Sequence, residues 1–289
     1  MVLRKKIGVT GANGQLGMEL RQLSSAWPQY EFIFVSKEQL PIQDVEKVNT
    51  FFGKHHPDFL INCAAYTAVD KAESEKELAF LVNAEATAIL AKACKENNCR
   101  FIHISTDYVF DGTATVPYEI NAATNPMSVY GESKLKGEQL AQRENPGSII
   151  IRSSWVYSSF GKNFVKTMIR LMREKNELNV VNDQLGSPTY AADLARTILQ
   201  IIASGNWHPG IYHYSNNGII SWYDFAVAIK ELTGSPCTLH PIPTSQYPTP
   251  AKRPAWSVLS TSKIHEVYAV SPIFWRQSLQ ECLDQSPAG

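Results

Sequence analysis

Short apolar segments alternate with amphipathic ones through the first half of the chain. Apolar runs of strand length, rich in β-branched and aromatic residues, occupy residues 6–9, 32–35, 59–62, 101–104 and 148–151. Segments with apolar residues at helical spacing lie between them, at residues 16–23, 45–52, 77–95 and 128–142. Because parallel strands covered on both faces read as nearly continuous apolar runs, this pattern predicts a Rossmann-type α/β fold with a doubly wound parallel sheet.

The pattern becomes less regular after residue 151. Helices are predicted at residues 164–175, 192–203 and 222–232, and residues 236–254 hold six prolines, which predicts a surface connection with little regular structure. We therefore expect a dinucleotide-binding domain at residues 1–152. A smaller C-terminal α/β substrate lobe is expected at residues 153–289, part of which could return to the first domain.

The composition narrows the possible partners. Lys plus Arg number 27 and Asp plus Glu number 27, so the chain lacks the basic excess typical of nucleic-acid binding. No uninterrupted apolar run reaches the roughly 18 residues of a membrane span. The five cysteines are scattered without a Cys-x-x-Cys pair, which favours reduced thiols and a cytoplasmic location.

A glycine-rich motif follows the first predicted strand and opens the first predicted helix. Its glycines are suited to a tight turn, to close approach of a pyrophosphate and to helix–sheet contact, and the helix N-terminus favours an anion. The sequence therefore predicts a dinucleotide site here. Its residues are Gly11, Asn13, Gly14, Gln15, Leu16 and Gly17.

The end of the second predicted strand bears on the cofactor. A site that prefers NAD usually places a carboxylate about 20 residues beyond the glycines, but this chain has Ser36 and Lys37 there. A hydroxyl and a cation favour a 2′-phosphate, which predicts NADPH with NADH also possible, although Lys37 also fits an ordinary solvated lysine. Asp44 and Val45, in the next turn, are candidates to contact the adenine ring.

A tyrosine and a lysine stand four residues apart on a predicted helix. Tyr130 and Lys134 then share one helix face, where an ammonium would lower the phenol pKa from about 10 and prepare it to protonate an alkoxide. Thr106 ends a predicted strand at the edge where ligands of such sheets bind. A surface tyrosine lying along a lysine stem is the alternative. Small residues after another strand would let a cofactor lie close: Cys63, Ala64 and Ala65, followed by Tyr66.

Longer segments carry a family resemblance. Residues 11–17, 62–73, 105–112, 130–138, 152–157, 183–190 and 253–259 resemble the dTDP-4-dehydrorhamnose reductases, a family of extended short-chain dehydrogenase/reductases. The resemblance spans nearly the whole chain. It implies reduction of the 4-keto group of dTDP-4-dehydro-6-deoxy-L-mannose, the last step of dTDP-L-rhamnose synthesis. Tyr130 would be the acid, Lys134 its tuner and cofactor anchor, and Thr106 a second donor to the 4-oxygen.

The same resemblance implies substrate contacts in both halves of the chain. They are Thr67, Thr106, Trp155, Asn163, Gln184 and Arg253. Trp155 also fits a core aromatic, and Arg253 fits a surface ion pair equally well. A homodimer is possible.

Some members of the family resemble magnesium-dependent dimers. Glu19 matches one acidic position, but Ala192 stands where another acid is wanted and only Asp193 is adjacent. We therefore predict no obligatory metal.

Other interpretations share the same catalytic residues. A related nucleotide-sugar 4-epimerase or GDP-keto-sugar reductase would use the same apparatus, so the substrate lobe decides between them. A non-catalytic regulatory subunit, resembling that of methionine adenosyltransferase, would not need it. The presence of Thr106, Tyr130 and Lys134 together argues against that last interpretation.

Overall fold

The computed structural model describes residues 4–285; the outermost parts of the two predicted domains, residues 1–3 and 286–289, lie outside the described residues. The strands are β1 (Lys5–Thr10), β2 (Tyr30–Val35), β3 (Phe59–Asn62), β4 (Arg100–Thr106), β5 (Ile149–Ser153), β6 (Val156–Tyr157), β7 (Glu177–Val181), β8 (Leu185–Gly186), β9 (Thr189–Tyr190), β10 (Gly210–His213), β11 (Ile220–Ser221) and β12 (Thr238–Ile242). The helices are α1 (Gln15–Leu23), α2 (Val45–His55), α3 (Val69–Ala72), α4 (Lys76–Phe80), α5 (Ala86–Glu96), α6 (Val129–Glu144), α7 (Phe164–Glu174), α8 (Ala191–Ala203), α9 (Trp222–Thr233), α10 (Ser262–Tyr268) and α11 (Trp275–Asp284).

Six strands form the central sheet, in the order β10-β5-β4-β3-β1-β2. All neighbouring pairs in this sheet are parallel. The chain leaves β1 for β2 on one side and later returns to place β3 on the other side, so the strand order reverses at β1. Ligands of open α/β sheets bind at such a reversal, outside the carboxyl ends of the strands. The predicted Rossmann-type doubly wound sheet is confirmed.

Both faces of the sheet are buried. In β5, Ile149 and Ile151 face a cluster with α1 and α8, whereas Ile150 faces a cluster with α2 and α5. In β3, Ile61 and Leu60 divide between the same two clusters. The alternation explains why the central strands read as continuous apolar runs, since nearly every position in β3, β4 and β5 is covered by a helix on one side or the other.

The second half of the chain contributes to both parts of the molecule. Strand β10 pairs with β5 and α8 packs against α1, so residues after 153 complete the first sheet. A separate apolar cluster joins α7, α9 and α11, beside the parallel pair β7 and β12. The division at residue 152 stays a prediction.

The prediction for the proline-rich stretch was wrong. Residues 236–254 contain strand β12 and a short 3₁₀ turn at Thr244–Gln246. Pro241 is tolerated within β12, opposite Val180, because this strand pairs only with β7. A proline in such a strand removes no hydrogen bond from a neighbour on the other side.

One predicted helix is interrupted. Residues 77–95 were expected to form a continuous helix, but a π-helical turn, Leu81–Glu85, separates α4 from α5. Such turns are frequent at functional sites, and this one contains the buried Asn83. No helix within residues 4–285 has both the length and the apolar character needed to cross a bilayer.

Two helical glycines give a matched test of the packing around this turn. A Cβ on Gly137 of α6 would stand 2.1 Å from the carbonyl oxygen of Asn83, whereas a Cβ on Gly53 of α2 would meet nothing within 4 Å. We expect Gly137→Ala to lower the free energy of unfolding by about 1 to 3 kcal/mol, because two backbones must separate. Gly53→Ala should raise it by about 0.5 to 1 kcal/mol through helix propensity. Urea titrations measure both, and a Gly137→Ala protein as stable as the parent would contradict this packing.

Candidate active site

The glycine turn after β1 packs against the chain that follows β3. Gly11 has φ +64°, and a Cβ there would lie 2.6 Å from the backbone nitrogen of Ala64 and 2.7 Å from the carbonyl carbon of Cys63. A Cβ on Gly17 would lie 2.5 Å from the carbonyl oxygen of Gly11. A side chain at Gly11 would force the turn away from the chain after β3, and a side chain at Gly17 would force α1 away from the turn, so glycine is required for both close approaches.

The N-terminus of α1 is open to an anion. Its cap residue Gly14 supplies no side-chain hydrogen bond, and its first turn carries no acidic residue. Backbone N–H groups at such an end lack partners and attract negative charge. Asn13 and Gly14 are exposed, whereas the Leu16 side chain lies in the core, so Leu16 can contribute only its backbone. These residues fit a dinucleotide pyrophosphate.

The residues predicted to contact the adenosine end of the cofactor differ in how firmly other protein groups already hold them. The Lys37 side chain is 90% exposed and has only a weak ion pair at 3.9 Å with Glu38, so its ammonium is available to a phosphate. Ser36 follows β2 directly and its backbone is held by a hydrogen bond. The Asp44 carboxylate accepts from a backbone N–H in the first turn of α2 and therefore caps that helix. Val45, the next residue, is an exposed apolar side chain.

The loop after β3 is hydrogen-bonded to Asn83, a residue that was not selected from the sequence. The Asn83 side chain accepts from the Tyr66 N–H at 2.8 Å and donates to the Tyr66 carbonyl at 3.1 Å. A polar residue inside the apolar stripe of a helix was the available signal. The Tyr66 hydroxyl donates to Glu75 at 2.6 Å, which raises the pKa of Tyr66 to about 12. Ala65 is half-buried and Thr67 is exposed.

Two of the predicted catalytic hydroxyls meet. Thr106 is the last residue of β4 and Tyr130 is the second residue of α6, and their side chains are hydrogen-bonded. Ser128 caps α6 by accepting from the Gly131 N–H. A Cβ on Gly131 would stand 2.3 Å from the carbonyl oxygen of Tyr108, so this glycine lets the helix start lie against the end of β4.

The expected lowering of the tyrosine pKa was wrong. Burial raises the pKa of Tyr130 to about 12, although its hydrogen bond with Thr106 acts in the opposite direction. Lys134 does not offset this, because its Nζ donates to the carbonyl oxygen of Ile104 at 2.6 Å and so points toward β4. The phenol therefore keeps its proton at neutral pH, which is the state that a proton donor needs.

Burial also controls the neighbouring charged groups. It lowers the pKa of Lys134 to about 8, against the attraction of Glu138. It raises the pKa of Asp107 to about 6, and one oxygen of this carboxylate accepts from the Thr106 hydroxyl at 2.9 Å. Sequence reasoning did not select Asp107, although it stands next to Thr106. The pKa values of two groups near the two hydroxyls, Lys134 and Asp107, are thus shifted from their ordinary ranges, as is frequent at functional sites.

Trp155 has a strained backbone. Its φ is +47°, in the left-handed region, which costs about 1 to 3 kcal/mol for a residue of this size. The indole stacks on Trp222 with ring centroids 3.6 Å apart and lies against Gly186, where a Cβ would be 2.6 Å from the ring. The side chain is half-buried, so it is not simply a core aromatic.

A cavity of about 710 Å³ lies in the second half of the chain. Two residues predicted to bind substrate, Gln184 and Arg253, line it. Apolar and aromatic side chains form much of the rest, among them Phe164, Leu171, Leu178, Val180, Trp222 and Tyr247. Arg253 also donates to both oxygens of Asp70, at 3.1 and 2.7 Å. It therefore forms the ion pair of the alternative interpretation and lines the cavity as well.

Asn163 joins the two halves instead of lining the cavity. Its side chain caps α7 and donates to the Gln15 side chain at 3.0 Å. Gln15 in turn donates to the carbonyl oxygen of Val156. These contacts tie the glycine turn to the segment that follows β5.

The acidic residues compared with magnesium-binding relatives have protein partners. Glu19 accepts from the Ser158 hydroxyl at 2.6 Å, and Arg196 pairs with both Asp193 and Glu281. Within residues 4–285, no cluster of three or more His, Cys, Asp or Glu side chains is arranged to hold a metal ion. The absence of an obligatory metal stays a prediction.

Comparisons with known proteins agree over the whole chain. The model of the RmlD substrate binding domain family matches residues 5–287. The chain is 44% identical over 281 residues to the spore coat polysaccharide biosynthesis protein SpsK of Bacillus subtilis, covering 97% of both chains. It is 40% identical over 282 residues to the dTDP-4-dehydrorhamnose reductase of Aggregatibacter actinomycetemcomitans, covering 94% of this chain and 96% of the relative. The dTDP-4-dehydrorhamnose reductase of Bacillus anthracis, solved in complex with NADP, has a TM-score of 0.94 at 35% identity, covering 98% of this chain and 100% of that one.

The low pKa of Lys134 predicts a pH-dependent affinity for a reduced dinucleotide. If the ammonium donates to the nicotinamide ribose, affinity is highest below about pH 8 and falls above it, by up to about tenfold between pH 7 and 9. Lys134→Met should bind more weakly and show no such fall. Fluorescence titration with NADPH measures both proteins, and an equal pH dependence in the two would exclude Lys134 as its source.

Proposed function

The chain belongs to the RmlD family of dTDP-4-dehydrorhamnose reductases, and from this premise we propose that it reduces the 4-keto group of dTDP-4-dehydro-6-deoxy-L-mannose to give dTDP-L-rhamnose. It is an oxidoreductase that uses NADPH, the reduced form of the cofactor in the Bacillus anthracis relative. NADH as an alternative cofactor, a homodimer and a cytoplasmic location remain predictions from the sequence.

One observation supports the reaction most directly: the residue after β3 adjoins both the cofactor turn and the catalytic lysine. The Cys63 backbone is in contact with the Gly11 turn. The Cys63 side chain is close enough to Lys134 for its pKa to be affected by that charge. The predicted pyrophosphate site and the predicted proton donor therefore belong to one crevice at the carboxyl edge of the sheet, where a nicotinamide and a carbonyl can meet.

The residues of the chain supply the proton and the orientation. NADPH, when bound, supplies the hydride for the carbonyl carbon. Tyr130 donates its phenolic proton to the 4-oxygen as negative charge develops there, and its raised pKa keeps that proton in place beforehand. Thr106, hydrogen-bonded to the phenol, fixes the direction from which the proton comes.

The cavity in the second half fits the rest of the substrate. Its aromatic and aliphatic walls suit a nucleoside base, and the polar or charged residues that make up the other half of its lining can bind the polar groups of a nucleotide. Arg253 supplies a cation beside these walls and is held by Asp70 in a fixed orientation. A guanidinium of this kind suits a diphosphate. We assign the thymidine diphosphate to this cavity and the keto sugar to the side nearer Tyr130.

An assay of substrate and cofactor together tests this function. The expected result is oxidation of NADPH with a dTDP-4-keto-6-deoxy sugar generated in situ and little oxidation with the GDP analogue. A cavity that fits the thymine base discriminates against guanine, which differs in size and in hydrogen-bonding groups. The fall in absorbance of the reduced nicotinamide measures the rate. Equal rates with both nucleotides would contradict the dTDP assignment. A purified protein that keeps stoichiometric nicotinamide through dialysis would instead indicate the 4-epimerase, and no turnover with any keto sugar would indicate the regulatory subunit.

Replacing the proton donor tests the mechanism. Tyr130→Phe should lower kcat by about 10²- to 10⁴-fold with little change in NADPH affinity, because only the acid is lost. Tyr157→Phe is the matched control. The Tyr157 hydroxyl is buried in the apolar cluster that joins α7, α9 and α11, and it has no hydrogen-bond partner among residues 4–285. The control should keep its turnover. A Tyr130→Phe enzyme with parental kcat would remove Tyr130 from the reaction.

A further inference from the structure

A chain of buried polar side chains crosses the sheet beneath the cofactor turn. The Thr10 hydroxyl on β1 donates to the Asn62 side chain on β3 at 2.6 Å. The Asn62 amide is 3.1 Å from Nδ1 of His103 on β4, and Nε2 of that histidine is 3.3 Å from Nζ of Lys134. Each of the four residues is at most 2% exposed. His103 has no role in the reaction proposed above.

The direction of this chain is determined by a backbone group. The Asn62 Oδ1 accepts from the Ala64 N–H at 3.2 Å as well as from the Thr10 hydroxyl. A backbone N–H can only donate, so turning the amide around would set the Nδ2 donor of Asn62 against the Ala64 N–H. The Nδ2 of Asn62 must therefore face His103.

The histidine then has a single tautomer. Because Asn62 Nδ2 can only donate, His103 Nδ1 accepts, and the ring carries its one hydrogen on Nε2. Burial lowers the pKa of His103, as does the nearby Lys134 charge, so the ring is neutral. Its Nε2–H points at Nζ of Lys134. An ammonium has no lone pair to accept that hydrogen, whereas an amine has one.

The other groups around Nζ do not compensate the ammonium fully. The carbonyl oxygen of Ile104 accepts from Nζ in either protonation state. Glu138, one turn along α6, gives both carboxylate oxygens to Arg152 on β5, at 2.7 to 3.2 Å. The Cys63 thiol has its pKa raised by burial and stays neutral. Lys134 thus has no carboxylate of its own.

We propose that His103 is a positioning residue, which donates its Nε2 hydrogen to Lys134 and thereby favours the neutral amine over the ammonium. The tautomer and the protonation balance follow from the hydrogen bonds of the free protein. Their consequence for catalysis rests on the proposed function: a lysine with both forms accessible can exchange a proton with the site while Tyr130 gives its own to the substrate.

The titration of Lys134 in the free, full-length protein tests this directly. NMR of lysine labelled with ¹³C at Cε, with the Lys134 signal assigned by its loss in Lys134→Met, gives the midpoint. His103→Gln can present a carbonyl oxygen instead of an N–H, so it should raise the midpoint by about one pH unit or more. His213→Gln is the matched control, because His213 is equally buried in the same sheet but its ring faces the Tyr118 carbonyl and Arg152. The control should leave the midpoint where it is.

The tautomer gives a second readout that needs no stable variant of His103. Long-range ¹H–¹⁵N spectra of the parent protein should show the hydrogen of His103 on Nε2, and Asn62→Asp should move it to Nδ1, since a carboxylate accepts. A parent ring protonated on Nδ1, or a midpoint unchanged by His103→Gln, would overturn the proposal. Neither measurement uses turnover, so an inactive enzyme with the expected shifts would count against the proposed function alone. With an active enzyme, the alkaline limb of kcat/KM for NADPH should move upward with the Lys134 midpoint.

Discussion

The close approach of two backbones at the centre of the sheet is the constraint on which the site depends. Gly11 meets the chain after β3 at distances that leave no space for a Cβ, and this contact lies where the strand order reverses. It places the open N-terminus of α1 beside Cys63, and Cys63 beside Lys134. The predicted cofactor turn and the proposed proton donor, which are 119 residues apart in sequence from Gly11 to Tyr130, thereby lie at the same edge of the sheet. A second close contact of this kind joins Gly131, near the start of α6, to the Tyr108 carbonyl oxygen just after β4.

Removal of water governs the chemistry of this crevice. Burial is the largest influence on the pKa of Tyr130, of Lys134 and of Asp107, and it moves each toward its neutral form. This direction suits the proposed mechanism, in which the phenol must still carry its proton when the carbonyl oxygen becomes basic. The neutral His103 belongs to the same environment, and its fixed tautomer adds a directional hydrogen bond to an otherwise general effect.

The second half of the chain is joined to the first by specific side chains as well as by packing. Gln15, in the cofactor turn, bonds to Asn163 at the start of α7, and Arg253 at the cavity is anchored by Asp70 of α3. The unfavourable backbone of Trp155 persists because its indole is fitted between Trp222 and Gly186. These contacts link the segments that line the cavity to those that form the crevice.

The sequence by itself determined the strand and helix alternation, the glycine turn and the pairing of Tyr130 with Lys134 on one helix face, because these depend on local periodicity and spacing. It did not reveal Asn83, His103 or the direction of the Tyr130 pKa shift. Each of those depends on which groups are brought together and shielded from water by residues far away in the chain. Strand β10 was likewise undetermined, since four residues carry too little pattern to say which sheet they join. Only the tertiary structure decides burial and partners, and burial and partners set the charge of a site.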